Sequence, residues 1–122
     1  MGDGLDFKIQ EEGKNLSVGE RQLVCIIRAI LRQSKIVVLD EATANIDVIT
    51  EKAIQKLIGE EFTNSTVLTI AHRLNTIIKS DRVLVLEQGE VLEYDAPHIL
   101  MADPSSAFTK LTEEMRAKER MH

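Results

Sequence analysis

Two apolar runs constrain the fold more than anything else in the chain. Ile36-Val37-Val38-Leu39 leads into Asp40-Glu41, and Thr66-Val67-Leu68-Thr69-Ile70-Ala71 leads into His72. Each is short and unbroken by polar alternation, the pattern of a strand covered on both faces in a parallel sheet. The segments around them have the helical period. Leu23, Ile26, Ile27, Ile30 and Leu31 recur on one face, and Ser17 with Glu20 makes an S-x-x-E capping box in front of them. A helix over Val18–Gln33 is therefore expected. Asp47 is placed to cap a second helix whose inner face is Ile54, Leu57, Ile58 and Phe62.

The rest of the chain extends the alternation. Gly2 to Asn15 reads as irregular, a short helix fits Leu74–Lys79, and Arg82–Leu86 reads as a third strand. Gln88-Gly89 turns that strand into a hairpin arm over Val91–Tyr94, and Pro97–Met101 fits a helical turn. Pro104-Ser105-Ser106 opens a last helix, with Arg116 to His122 expected as a frayed tail. Strands alternating with helices give an α/β layer architecture.

Composition excludes several function classes. The net charge of -5 argues against a nucleic-acid binder, which normally carries a basic face. It leaves nucleotide binding open, because backbone N–H groups and one metal ion can hold phosphates on an acidic protein. The single cysteine, Cys25, allows no internal disulfide and reads as a small buried hydrophobe in a helix. No apolar run approaches the roughly 20 residues of a membrane span, and the start of the chain has no signal-peptide core. The chain itself is expected to be soluble and cytoplasmic.

The candidate chemistry lies at the ends of these elements. Asp40 and Glu41 leave a strand at the carboxyl edge of the sheet, where ligands of open α/β folds bind. One carboxylate suits Mg²⁺ and the next can orient or deprotonate a water. Taken alone, the pair equally well opens a loop. Ser17 and Gly19 begin a capped helix, whose free N–H groups and partial positive charge suit a phosphate. Taken alone, Ser17 is an ordinary N-cap worth about 1 kcal/mol. His72 by itself reads as a structural residue. No Cys/His cluster has metal-ligand spacing.

The order of the motifs decides between these readings. Leu16-Ser17-Val18-Gly19-Glu20-Arg21-Gln22, then Leu39-Asp40-Glu41-Ala42-Thr43, then Ala44-Asn45-Ile46-Asp47, then Ala71-His72-Arg73 follow at short spacings. In this order the chain resembles the ATP-binding cassette (ABC) transporter family from about Gly4 to Leu100. Leu68 to Ile77 and the hairpin Leu86 to Asp95 look like exporter-type cassettes, and most like the second nucleotide-binding domain of the multidrug-resistance-associated (C) subfamily.

The resemblance implies a partial P-loop NTPase fold, a mostly parallel sheet flanked by helices. Residues 1–101 would be the carboxyl-terminal half of the nucleotide-binding domain, and residues 102–122 a charged terminal helix or tail. It implies that Asp40 coordinates Mg²⁺, that Glu41 is the general base and that His72 contacts the γ-phosphate of ATP. Ser17, Val18, Gly19, Glu20 and Gln22 would form the signature loop, which completes the site of an ATP held by a second cassette, packed head-to-tail. Ala44 to Asp47 would be the D-loop, communicating across that dimer. The implied partners are that second cassette and transmembrane domains, with no nucleic acid and no direct insertion into the membrane. The implied location is the cytosolic face of a membrane, and the implied function is ATP hydrolysis powering solute export.

Two positions depart from the pattern. The family usually has Gly where Val18 stands and often Gln where Glu20 stands. Val18 limits close backbone approach, and Glu20 brings negative charge to a phosphate. The departures point to a slow, degenerate site on the partner, with the site served by Glu41 intact. The G-x-x-x-x-G-K-[ST] loop is not in these residues. At the one Gly-Lys pair, Gly13-Lys14, Lys8 stands where the first Gly belongs and Asn15 where Ser or Thr belongs. Without a P-loop strand, the strand ending at His72 and the Val83–Leu86 strand lose a common neighbour, so the isolated chain is expected to be marginally stable or to associate. Two other functions fit less of the chain. One is a non-catalytic module that supplies a signature loop in trans. The other is a chromosome- or repair-type cassette ATPase, opposed by the acidic balance and the exporter-like Ala71 to Thr76.

Overall fold

A computed structural model describes residues 4–40 and 46–121. The chain divides into two compact units, Met1–Ile70 and Ala71–His122.

In the first unit, 3-10 turns at Gly4–Asp6 and Glu11–Gly13 lead to helix α1, Val18–Arg32. The Asn15 side chain ties this entry segment together, accepting the Gln10 N–H at 3.0 Å and donating to the Lys8 carbonyl at 2.8 Å. Strand β1 is Ile36–Asp40, helix α2 is Val48–Glu61, and strand β2 is Thr66–Ile70. β1 and β2 pair in parallel, with Val37 opposite Val67 and Asp40 opposite Ile70. Ile26 of α1, Val37 of β1, Ile54 of α2 and Phe62 form the buried core, with Leu23, Ile30, Leu57, Ile58 and Val67 packed against it. Each such side chain stabilises the fold by about 1.5–3 kcal/mol, so packing holds the helices and the caps set where they start.

Two expectations fail here for one reason. β1 is covered on one face only. Val37 is 6% exposed, whereas Ile36 and Val38 are each 64% exposed. Leu68 and Ile70 of β2 lie exposed on the same face as Ile36 and Val38. Both helices contribute their apolar stripes to the Val37 side, so nothing in this unit covers the other. Cys25 is likewise exposed, not buried. It stands one residue, about 100° of helix, from the inward-facing Ile26, and lines an open cleft with Arg28, Arg32 and Ile36.

In the second unit, helix α3 is Leu74–Ile77, strands β3 and β4 are Val83–Glu87 and Glu90–Asp95, and helices α4 and α5 are Pro97–Met101 and Ala107–Arg120. Gln88 and Gly89 both have positive φ, 51° and 80°, which suits the two-residue type I′ turn of a tight hairpin. β3 pairs antiparallel with β4. Among the described residues, the strands thus form one parallel pair and one hairpin, and the third expected strand joins the hairpin, not the parallel pair. Glu93 of β4 holds the start of α5. Its carboxylate accepts the Ser106 hydroxyl and the Phe108 N–H at 2.9 Å and the Ala107 N–H at 3.1 Å. These bonds, the Phe108 N–H first, lower the Glu93 pKa below its ordinary value. Phe108, 2% exposed, and Thr112, 1% exposed, are the inner residues of α5. The expected frayed tail from Arg116 is helical through Arg120.

The bare face of the parallel pair makes a prediction for the isolated chain. At micromolar concentration it should sediment as a self-associating species. Val38→Thr with Leu68→Thr should shift it toward monomer without lowering its melting temperature. Val37→Ala, on the covered face, should instead destabilise it by about 2 kcal/mol. A wild-type chain that sediments as a clean monomer would contradict the assignment.

Candidate functional site

The start of α1 is a complete capping box. Ser17 Oγ accepts the Glu20 N–H at 3.1 Å, and Glu20 Oε1 accepts the Ser17 N–H at 2.9 Å. Those bonds, from the Ser17 backbone first and its side chain second, hold the Glu20 carboxyl below the usual carboxylate range. The cap and a phosphate contact are not alternatives for Ser17. Its oxygen is used as an acceptor, which leaves the O–H as a donor. The box takes up the N–H groups of Ser17 and Glu20 and not those of Val18 and Gly19.

Gly19 is where the first helix meets the second. It is buried, and a Cβ built on it would stand 2.7 Å from Thr50 Cγ2. Thr50 is in the first turn of α2, and Asp47 caps that turn by accepting the Thr50 N–H at 3.1 Å. Thr50, through its side chain and then its backbone, depresses the Asp47 pKa. Ile46, 8% exposed, closes the same corner, with its Cγ2 3.8 Å from the Gly19 position. The Leu16–Gln22 motif and the Ile46-Asp47 end of the next motif are thereby adjacent, each presenting a helix start. Val18 and Gln22 are half-buried beside Gly19 on α1.

Asp40 is exposed at the carboxyl end of β1, level with Ile70 at the end of β2. His72, also exposed, follows Ile70 by two residues, across the boundary between the units. One carboxylate in this position suits Mg²⁺, which keeps most of its waters and takes the remaining ligands from substrate phosphates. Among the described residues, no group of three or more His, Cys, Asp or Glu side chains is placed to hold a metal by itself. Glu41, and Ala44 and Asn45 of the D-loop-like segment, lie outside the described residues.

Sequence reasoning missed Thr50. The signal was present, since a glycine inside an amphipathic helix asks for a close neighbour, but the neighbour is 31 positions away and belongs to another helix.

Comparison with known proteins bears on the same motifs. Residues 1–44 match the model of the family described as ABC transporter. The chain is 54% identical over 118 residues to multidrug resistance protein mrp-7 of Caenorhabditis elegans, a match covering 97% of this chain and 8% of that protein. It is 51% identical over 115 residues to ATP-binding cassette sub-family C member 4 of Homo sapiens, covering 94% and 9%. It is 55% identical over 112 residues to metal resistance protein YCF1 of Saccharomyces cerevisiae, covering 92% and 7%. The chain thus spans less than a tenth of the length of these curated relatives. Among the described residues, no helix is long and apolar enough to cross a membrane.

The two caps and the Gly19 contact are separable by experiment. Ser17→Ala should cost about 1 kcal/mol of stability. Gly19→Ala should cost about 1–3 kcal/mol by overpacking, and Thr50→Ser, which removes the opposing methyl, should restore most of it. Both cap carboxylates have depressed pKa values in the fold, so their contribution is complete above the ordinary range and is lost as the pH falls through the folded values. Helicity followed by circular dichroism should drop on acidification, and the Glu20→Gln, Asp47→Asn double variant should lose less of it.

Proposed function

This chain belongs to the ABC transporter family, and we propose that residues 1–101 are the carboxyl-terminal half of one of its nucleotide-binding domains. We place it in the second cassette of a C-subfamily exporter, with residues 102–122 as the charged terminal helix. The observation that carries this reading is the parallel register of β1 and β2. It brings Asp40 level with Ile70, so the Asp40-Glu41 and His72 motifs leave from one sheet edge, the edge at which such sheets bind ligands.

On this reading the residues divide between two nucleotides. Asp40 and its waters hold Mg²⁺ at an ATP bound by this cassette, Glu41 takes the proton of the attacking water, and His72 donates to the γ-phosphate. The bound ion would neutralise charge building on the phosphate oxygens during transfer. Ser17, Val18, Gly19, Glu20 and Gln22 face the ATP of a second cassette, where the Ser17 O–H and the first N–H groups of α1 meet its γ-phosphate. Asp47, at the end of the D-loop, sits beside that loop through the Gly19–Thr50 packing. The two departures weaken the partner's site. Val18 keeps the phosphate from the backbone, and the Glu20 carboxylate, held ionised by the capping box, repels it. ATP turnover would drive solute export through transmembrane domains at a membrane's cytosolic face.

The test supplies the missing element. The purified chain should neither bind nor hydrolyse ATP with Mg²⁺. Mixed with a cassette fragment that carries a P-loop, it should restore turnover, which Glu41→Gln should reduce by about 100-fold or more. Turnover by the chain alone would sink the reading. Docking that alters a complete cassette's rate without any effect of Glu41→Gln would favour a non-catalytic module instead.

A further inference from the structure

The last turn of α5 does something the sequence did not announce. Glu119 Oε1 accepts the backbone N–H of Leu74 at 3.2 Å, across 45 residues of sequence. Leu74 is 6% exposed and opens α3, and Arg73, the residue before it, supplies no side-chain cap. The first N–H groups of a helix need an acceptor. A carboxylate provides a charge-assisted one and opposes the partial positive charge of the turn. α3 and α5 pack together, as do α5 and β4. At the other end of α5, Glu93 of β4 accepts from Ser106, Ala107 and Phe108. The helix is therefore fastened by a carboxylate at each end, to the hairpin at its start and to α3 at its finish.

We infer that α5 is a strut that sets the loop Ala71-His72-Arg73, with Glu119 as its positioning residue. Leu74 follows His72 by two residues, so holding the Leu74 backbone limits where His72 can stand. A side chain that must meet a phosphate oxygen is useful only if its backbone is held to within about 0.5 Å. The inference rests on the role proposed for His72. The hydrogen bond itself does not.

The test uses the full 122-residue chain, labelled with ¹⁵N. Glu119→Ala should speed exchange of the Leu74 amide about tenfold and shift the His72 imidazole resonances and their titration midpoint. Glu119→Gln keeps an oxygen acceptor and should restore most of the protection and the His72 signals. Glu113→Ala, on the same helix, should change neither. Unaltered Leu74 exchange in Glu119→Ala would overturn the strut, and so would faster exchange with unmoved His72 signals. Failure of the functional reading looks different. Turnover in the P-loop-complemented mixture would then be indifferent to His72→Ala, whatever the amide of Leu74 does.

Discussion

The parallel pairing of β1 and β2 is the contact on which the rest of the first unit is built. It creates the face on which α1 and α2 both pack, through Val37 and Val67. It also brings two chain exits to one edge, the one after Asp40 and the one after Ile70. A parallel pair has to be joined by a crossover, and α2 is that crossover. Because α2 starts against Gly19, the crossover also draws the start of α1 to the segment that ends at Asp47. One pairing thus gathers motifs that are scattered over 55 residues of sequence between Ser17 and His72. A slip of the register by one residue would turn Val37 outward and separate the exits.

What was legible in the sequence was local. The capping box at Ser17 and Glu20, the Asp47 cap, the Gln88-Gly89 turn and the inner face of α2 are all set by residues within a few positions of one another. The helices and strands begin and end within a residue or two of where these signals put them. The ordered motifs made the family legible too, because they constrain one another in spacing as well as in kind.

What was not legible depends on distant surfaces. Ile36 and Val38 have the pattern of a doubly covered strand, yet both helices of this unit lie on the opposite side. Cys25 sits in an apolar stretch, but the stripe passes one residue to its side. The terminal helix appeared too charged to persist, and Glu119 is one of the charges that holds it, through a backbone N–H that no side-chain pattern reveals. Gly19 is the intermediate case. Its need for space could be read, but not the identity of Thr50.

That last contact has an evolutionary reading. A helix-start glycine is often explained by the ligand it lets approach. Here the backbone it lets approach is the protein's own, and the room is bounded by one methyl group, Thr50 Cγ2. Position 19 is therefore not free to drift on its own, even in a descendant that has given up nucleotides altogether. Any larger residue there must wait for a smaller one at position 50. The two positions should change as a pair, or not at all.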